Sequence, residues 1–228
     1  MNQLSTLVRE SGPAPDAAVI WLHGLGADAH DFEPVVPMLA LGPNRPLRFV
    51  FPNAPVRPVT VNAGMQMRAW YDIGDLDPDG HPEDEGGIRS AAISVGALLN
   101  AEIARGIPAE RIVLGGFSQG GATALFTGLR FPQRLAGMVG LSCYLPLART
   151  LAAEITPANR STPIFQGHGE ADPVVPEWIG RASHEQLQAV NGDAEWRTYP
   201  IPHAVIPDEL ADVRAFLDRC LPAVSGAV

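Results

Sequence analysis

A mostly parallel β-sheet covered by helices on both faces is the fold this sequence predicts, and three observations predict it. Short apolar, β-branched runs such as Ala17–Leu22 and 111–115 have the composition of strands buried on both faces. Between such runs lie segments of helical period, the longest at 84–105. The two kinds of segment alternate through almost the whole chain, the pattern of a parallel sheet built from strand–helix–strand units. At 228 residues the chain is long enough for one large α/β domain, and residues 1–228 are expected to form it.

In chain order, residues 17–22 form the first strand and run into His23-Gly24-Leu25-Gly26. The backbone N–H groups of such a turn can converge on an oxyanion or a phosphate. No Gly-Lys-Ser and no Gly-x-Gly-x-x-Gly follows, which argues against the phosphate. Residues 30–40 have helical period but contain Pro34 and Pro37, so a short or kinked helix is expected. Residues 47–51 form the next strand. From 53 to 82 no long period holds, which marks a lid-like insertion or binding loop. Within it, 59–61 and 65–71 are expected to pair as a hairpin around Asn62-Ala63-Gly64. Met65, Met67, Trp70 and Ile73 offer adaptable apolar surface for a fatty group, or else pack this loop onto the body.

The 84–105 helix carries Ile88, Ala91, Ala92, Val95, Leu98 and Leu99 on one stripe. Glu83-Asp84-Glu85 suit its positive end, and Gly106 with Pro108 stops it. A strand at 111–115 and a helix at 122–130 flank Gly116-Phe117-Ser118-Gln119-Gly120. Further strands are expected at 136–141, 163–166 and 194–199, with helices at 147–154, 178–190 and 207–217. In parallel sheets ligands bind beyond the carboxyl ends of the strands. That rule selects the loops at 23–26, 116–120, after Gln166 and after Tyr199.

Composition excludes some classes of function. The formal charge is −9, with the basic residues scattered, so a nucleic-acid partner is not expected. The longest apolar run, 17–22, is too short to span a bilayer. Residues 1–16 lack the basic start and apolar core of a secretory signal. Cys143 and Cys220 lie far apart without metal-ligand spacing and read as reduced, hence cytoplasmic.

Ser118 sits where a nucleophile elbow would place it, at a tight turn from strand to helix with glycines two residues to either side. The plain alternative is an ordinary glycine-rich turn. A serine hydroxyl needs a base, and the base needs a group that fixes its tautomer. The acid and the histidine should follow the elbow in that order. Glu170 and Asp172 both lie in the loop after Gln166; Asp172 is preferred, because Asp-Pro fixes a turn and the shorter side chain is better constrained. Of six histidines, His203 lies between the last strand and the last helix, in a loop stiffened by Pro200, Pro202 and Pro207. His168 is expected to tie the acid loop to the sheet, and His184 to be solvated on a helix surface. A metal cluster of His168, Glu170 and Asp172 is the competing reading, although no His-Glu-x-x-His accompanies it.

These residues resemble the phospholipase/carboxylesterase family of α/β-hydrolases, which includes bacterial carboxylesterases and acyl-protein thioesterases. The likeness extends from about Val19 to Leu210. Its blocks are Leu22-His23-Gly24-Leu25-Gly26, Pro58-Val59-Thr60, Arg68-Ala69-Trp70-Tyr71-Asp72, Gly115 to Gly121, His168-Gly169 with Asp172 to Pro176, and Tyr199-Pro200 leading to His203. The resemblance implies an α/β-hydrolase fold, a triad of Ser118, Asp172 and His203, and an oxyanion hole made by the backbone N–H groups of Leu25 and Gln119. It implies hydrolysis of carboxylic esters, with thioesters open to the same chemistry, and no metal or cofactor. A small-molecule or lipid ester or an acylated protein would be the substrate, and the enzyme a monomer or homodimer. Many relatives have serine after the histidine, where this chain has Ala204. A non-catalytic binding protein and a metal-assisted hydrolase are the rival functions; neither should react with a fluorophosphonate at Ser118.

Overall fold

The computed structural model describes residues 4–74 and 82–223. Seven strands form one sheet in the order β1-β3-β2-β6-β7-β8-β9. They are β1 (Thr6–Glu10), β2 (Ala17–Leu22), β3 (Leu47–Pro52), β6 (Ile112–Phe117), β7 (Gly137–Leu141), β8 (Ile164–Gly169) and β9 (Ala194–Tyr199). All neighbours pair in parallel except β1, which runs antiparallel to β3 at one edge. A separate two-stranded hairpin joins β4 (Val56–Val59) to β5 (Met65–Arg68). The helices are α1 (Val36–Leu39), α2 (Glu85–Arg105), α3 (Gln119–Arg130), α4 (Leu151–Glu154), α5 (Glu177–Val190) and α6 (Pro207–Cys220).

The central strand β2 shows why its composition is apolar throughout: every one of its residues is buried. Its side chains alternate between two cores. Ala18, Ile20 and Leu22 pack with Ile88, Val95 and Leu99 of α2 and Leu125, Phe126 and Leu129 of α3. Ala17, Val19 and Trp21 pack on the opposite face with Leu39 of α1 and Val213, Phe216 and Leu217 of α6. Each such large side chain contributes about 1.5–3 kcal/mol by leaving water. The expected sheet with helices on both faces is therefore the one observed.

Helix α2 begins where its acidic start predicts, with Asp84 accepting a hydrogen bond from the Gly87 N–H at 2.9 Å, and ends at left-handed Gly106 (φ 107°). The proline-bearing segment 30–40 yields a 3-10 turn at Glu33–Val35 followed by the short α1. The segment at 147–154 is likewise a 3-10 turn, Ala148–Thr150, continued by α4. The hairpin forms three residues earlier than expected on its first strand. Val59 pairs with Met65, because Thr60–Asn62 take a 3-10 turn closed by Ala63 and Gly64, both at positive φ. Residues 75–81 of the expected insertion, with His81, lie outside the described residues.

Strand β1 was not visible in the sequence. Thr6, Arg9 and Glu10 are exposed, so the strand buries too little to show alternation. In α6, Glu209 is completely buried beside Gly167 of β8, and neither of its carboxyl oxygens has a hydrogen-bond partner among the described residues. Burial, and after it the charge of Asp212, pushes its pKa up to about 8. Among the described residues no helix is long and apolar enough to cross a membrane.

Candidate active site

Strand register brings the four selected loops together. Leu22 of β2 is opposite Gly116 of β6, so the chain leaves the sheet side by side at His23 and at Phe117. Gly169 of β8 is opposite Tyr199 of β9, and the Glu170 N–H continues the pairing to Tyr199 O at 2.8 Å. The acid and histidine loops therefore start adjacent to each other. Gly169 is required there, because a Cβ would stand 2.5 Å from the Ile201 carbonyl oxygen of the crossing loop.

The elbow is strained as a nucleophile elbow should be. Ser118 adopts φ 54°, ψ −124°, a conformation that non-glycine residues seldom take. The flanking glycines permit the turn: a Cβ on Gly116 would lie 2.5 Å from the carbonyl carbon of Gly120, and a Cβ on Gly120 would strike the Leu22 carbonyl oxygen. The Ser118 N–H donates to Leu141 O at 2.8 Å, so β7 anchors the elbow. Helix α3 starts at Gln119, three residues before the apolar period does, because the glycines 120 and 121 carry no periodic signal.

Ser118 Oγ lies 2.9 Å from His203 Nε2, and His203 Nδ1 lies 2.6 Å from Asp172 Oδ2. The other oxygen of Asp172 accepts the N–H groups of Val174 (2.8 Å) and Val175 (2.9 Å). Asp172 is thus a fully buried acceptor held by the turn that Asp-Pro initiates. It places the proton of the neutral imidazole on Nδ1, leaving Nε2 free to accept from the serine. The Phe117 ring packs on His203 with centroids 4.7 Å apart. Glu170, the alternative acid, is exposed and accepts from Thr198 Oγ1 at 3.0 Å.

His168 is buried where the sequence places it: Nε2 donates to Val175 O at 2.8 Å, tying the acid loop to the sheet, and burial lowers its pKa. His184 is corrected. Rather than being solvated it is half-buried, with Nδ1 2.8 Å from Gln166 Oε1 and its ring against Trp196. Both thiols stay protonated, since burial pushes Cys143 and Cys220 up to about 12.

The N–H groups expected to hold an oxyanion flank the serine. A Cβ on Gly24 would lie 3.5 Å from Ser118 Cβ, which puts the 23–26 turn against the elbow. Gly26 N–H and Ala27 N–H are taken by Arg68 O (2.9 Å) and Gly24 O (3.2 Å). Among the described residues the N–H groups of Leu25 and Gln119 have no such acceptor. His23 aims the first of them. Its Nε2 accepts the Ala54 N–H at 3.0 Å, so Nδ1 carries the proton and donates to Gly24 O at 2.7 Å. A trans peptide points its N–H opposite to its C=O, so fixing the Gly24 carbonyl fixes the direction of the Leu25 N–H. Burial lowers the pKa of His23 and keeps it neutral for this task.

The four expected substrate residues divide. Met65 is 64% exposed, and Met67 and Ile73 are half-buried. Trp70 takes the packing alternative: it is 1% exposed within the core, and its indole N–H donates to His23 O at 2.9 Å. An aromatic residue in a loop of no clear period carries no sign of which side it faces. Sequence reasoning also missed the Gln119 side chain, whose Oε1 accepts the Trp70 N–H (2.9 Å) and whose Nε2 donates to Tyr71 O (2.8 Å).

The sequence pattern of the Phospholipase/Carboxylesterase family matches residues 5–221. Acyl-protein thioesterase 1 of Mycosarcoma maydis is 42% identical, over 98% of this chain and all of that protein. The crystal structure of acyl-protein thioesterase 2 of Zea mays superposes with a TM-score of 0.83 at 32% identity, covering 95% of this chain and 99% of that one. Arabidopsis thaliana SOBER1 gives 0.84 at 31% identity, covering 90% and 99%. With this coverage, and with the mostly parallel, helix-covered sheet that it shares with these α/β-hydrolases, the chain is a serine hydrolase and belongs to the phospholipase/carboxylesterase family.

Proposed function

We propose that Ser118, His203 and Asp172 hydrolyse carboxylic esters and thioesters through an acyl-enzyme. The observation that carries this is the continuous chain from Ser118 Oγ through His203 to buried Asp172, beside two unengaged backbone N–H groups. Ser118 Oγ attacks the acyl carbonyl carbon while its proton passes to His203 Nε2. Asp172 stabilises the imidazolium, and the N–H groups of Leu25 and Gln119 take the oxyanion. The imidazolium then returns its proton to the departing alkoxide or thiolate. A water, deprotonated by the same nitrogen, releases the acid and restores Ser118. No step uses a metal or cofactor, and all three side chains come from one chain.

The relatives named acyl-protein thioesterases favour acylated proteins or lipid esters as substrates. The exposed Met65, Val56 and Val61 of the hairpin favour the same greasy class. The free cysteines fit a cytoplasmic enzyme. Ser118→Ala should fold and lose at least about 10⁴-fold in turnover. The parent should be labelled covalently by a fluorophosphonate at Ser118. A clean Ser118→Ala variant that keeps most of its activity would falsify the assignment, and absence of labelling would return the binding-protein reading.

A further inference from the structure

The two N–H groups assigned to the oxyanion sit on loops that meet only at the ends of β2 and β6, and something must set their spacing. Residues 68–71 are bonded to both loops. Arg68 O accepts the Gly26 N–H at 2.9 Å, one residue beyond Leu25. Trp70 is bonded to both loops at once: its indole N–H holds His23 O (2.9 Å), and its main-chain N–H holds Gln119 Oε1 (2.9 Å). The Gln119 amide completes the clamp on Tyr71 O at 2.8 Å. His23 and Trp70 rings lie in contact, with centroids 5.3 Å apart. Gln119, Trp70 and His23 are each no more than 2% exposed, so water does not compete for these bonds.

We propose that the side chains of Gln119 and Trp70 are positioning residues that brace 68–71 across the oxyanion hole and fix the separation of the Leu25 and Gln119 N–H groups. This rests on the reading of those two groups as oxyanion donors. Gln119 thereby has two distinct tasks, its main chain facing the substrate and its side chain facing the brace. The same segment continues directly from β5, and the Met67 sulfur lies 3.8 Å from where a Cβ on Gly26 would stand. The hairpin that offers apolar surface to an acyl chain is therefore tied to the groups that stabilise the oxyanion. An oxyanion donor is worth most when it is aimed before the reaction, so loosening the brace should slow the chemical step more than substrate binding.

Three variants test this. Gln119→Met keeps the length of the side chain and removes both bonds. It should lower kcat by about 10- to 100-fold while KM stays within about threefold. Inhibition by a trifluoromethyl ketone, which forms a tetrahedral oxyanion adduct, should weaken by the same factor as kcat/KM. Gln119→Glu supplies a donor to Tyr71 O only when its carboxyl is protonated, so its activity relative to the parent should rise as pH falls. Trp70→Phe, which removes the indole N–H together with part of a buried ring, should show a smaller loss of kcat at unchanged KM. A folded Gln119→Met enzyme with the parent's kcat, or a Gln119→Glu ratio that is flat with pH, overturns the proposal. Should Gln119→Met not fold, Trp70→Phe decides: the parent's kcat overturns the brace and a reduced kcat at constant KM supports it. Fluorophosphonate labelling of the parent at Ser118 separates these outcomes from failure of the triad itself.

Discussion

The triad and the hairpin lie at the same end of the molecule and are held by different means. Ser118, Asp172 and His203 leave the ends of paired strands, so backbone register sets their positions, and the atoms that support Ser118 and Asp172 there, Leu141 O, Val174 N and Val175 N, belong to the main chain. The hairpin pairs only with itself and exposes Val56, Val61 and Met65, at 60, 51 and 64%. Its links to the body are few: the Arg68 carbonyl accepts the Gly26 N–H at 2.9 Å, the Arg68 guanidinium donates to Ala54 O at 3.0 Å, and the side chains of Gln119 and Trp70 add the rest. On the proposed function, the reaction is written into the sheet, and the choice of acyl group into a surface that the sheet does not constrain.

That contrast can be broken from either side. The largest effect is expected at Asp172. Asp172→Asn keeps the size of the side chain but lets an amide N–H face His203, favouring the tautomer that cannot accept from Ser118. Turnover should fall by about 10⁴-fold with little loss of stability. Steady-state rates alongside a melting curve check it, and a loss below tenfold would detach Asp172 from the base. A smaller and selective effect belongs to the hairpin. Met65→Ser should lower the ratio of kcat/KM for long-chain over short-chain esters by about 3- to 30-fold. A length series of nitrophenyl esters measures it, and an unchanged ratio would move the acyl site elsewhere.

The smallest effect on activity, and one confined to stability, is expected at Glu209. Its carboxyl has a folded pKa of about 8, above the ordinary carboxylate value. In the unfolded chain it loses its proton at lower pH than in the folded protein. Between those two values the folded state binds more protons, so stability is complete at the acid end and falls as pH rises to about 8, by at most about 1.4 kcal/mol per pH unit. Glu209→Gln should remove this slope. Denaturant midpoints at pH 5, 7 and 9 should converge at pH 5 and favour the variant at pH 9; parallel curves would contradict the buried acid.

What could be read from the sequence follows the same division. Strands buried on both faces announce themselves by continuous apolar runs, so β2, β3, β6 and β7 were found within a residue or two. The rule that ligands bind beyond the carboxyl ends of parallel strands selected the loops, and the chain order of Ser118, Asp172 and His203 did the rest. Strand β1 was missed because an edge strand with one weakly covered face shows no alternation. The hairpin slipped by three residues because Pro58 and the 3-10 turn obscured where pairing began. Trp70 was left open, His184 misread and the Gln119 amide unseen for a common reason. A polar or amphipathic side chain is assigned by its partner, and here those partners are 47 or more residues away for Trp70 and Gln119 and 18 for His184.

The position of β9 has a consequence for how the enzyme dies. This strand forms the open edge of the sheet, and His203 follows it directly. Edge elements open locally at lower free energy than the core. Withdrawal of β9 would carry the base away from a serine that remains seated between β6 and α3. Activity should therefore fade, in rising denaturant, before the bulk of the helices melts. The catalytic assay would then be a gauge of one strand's attachment rather than of the whole fold.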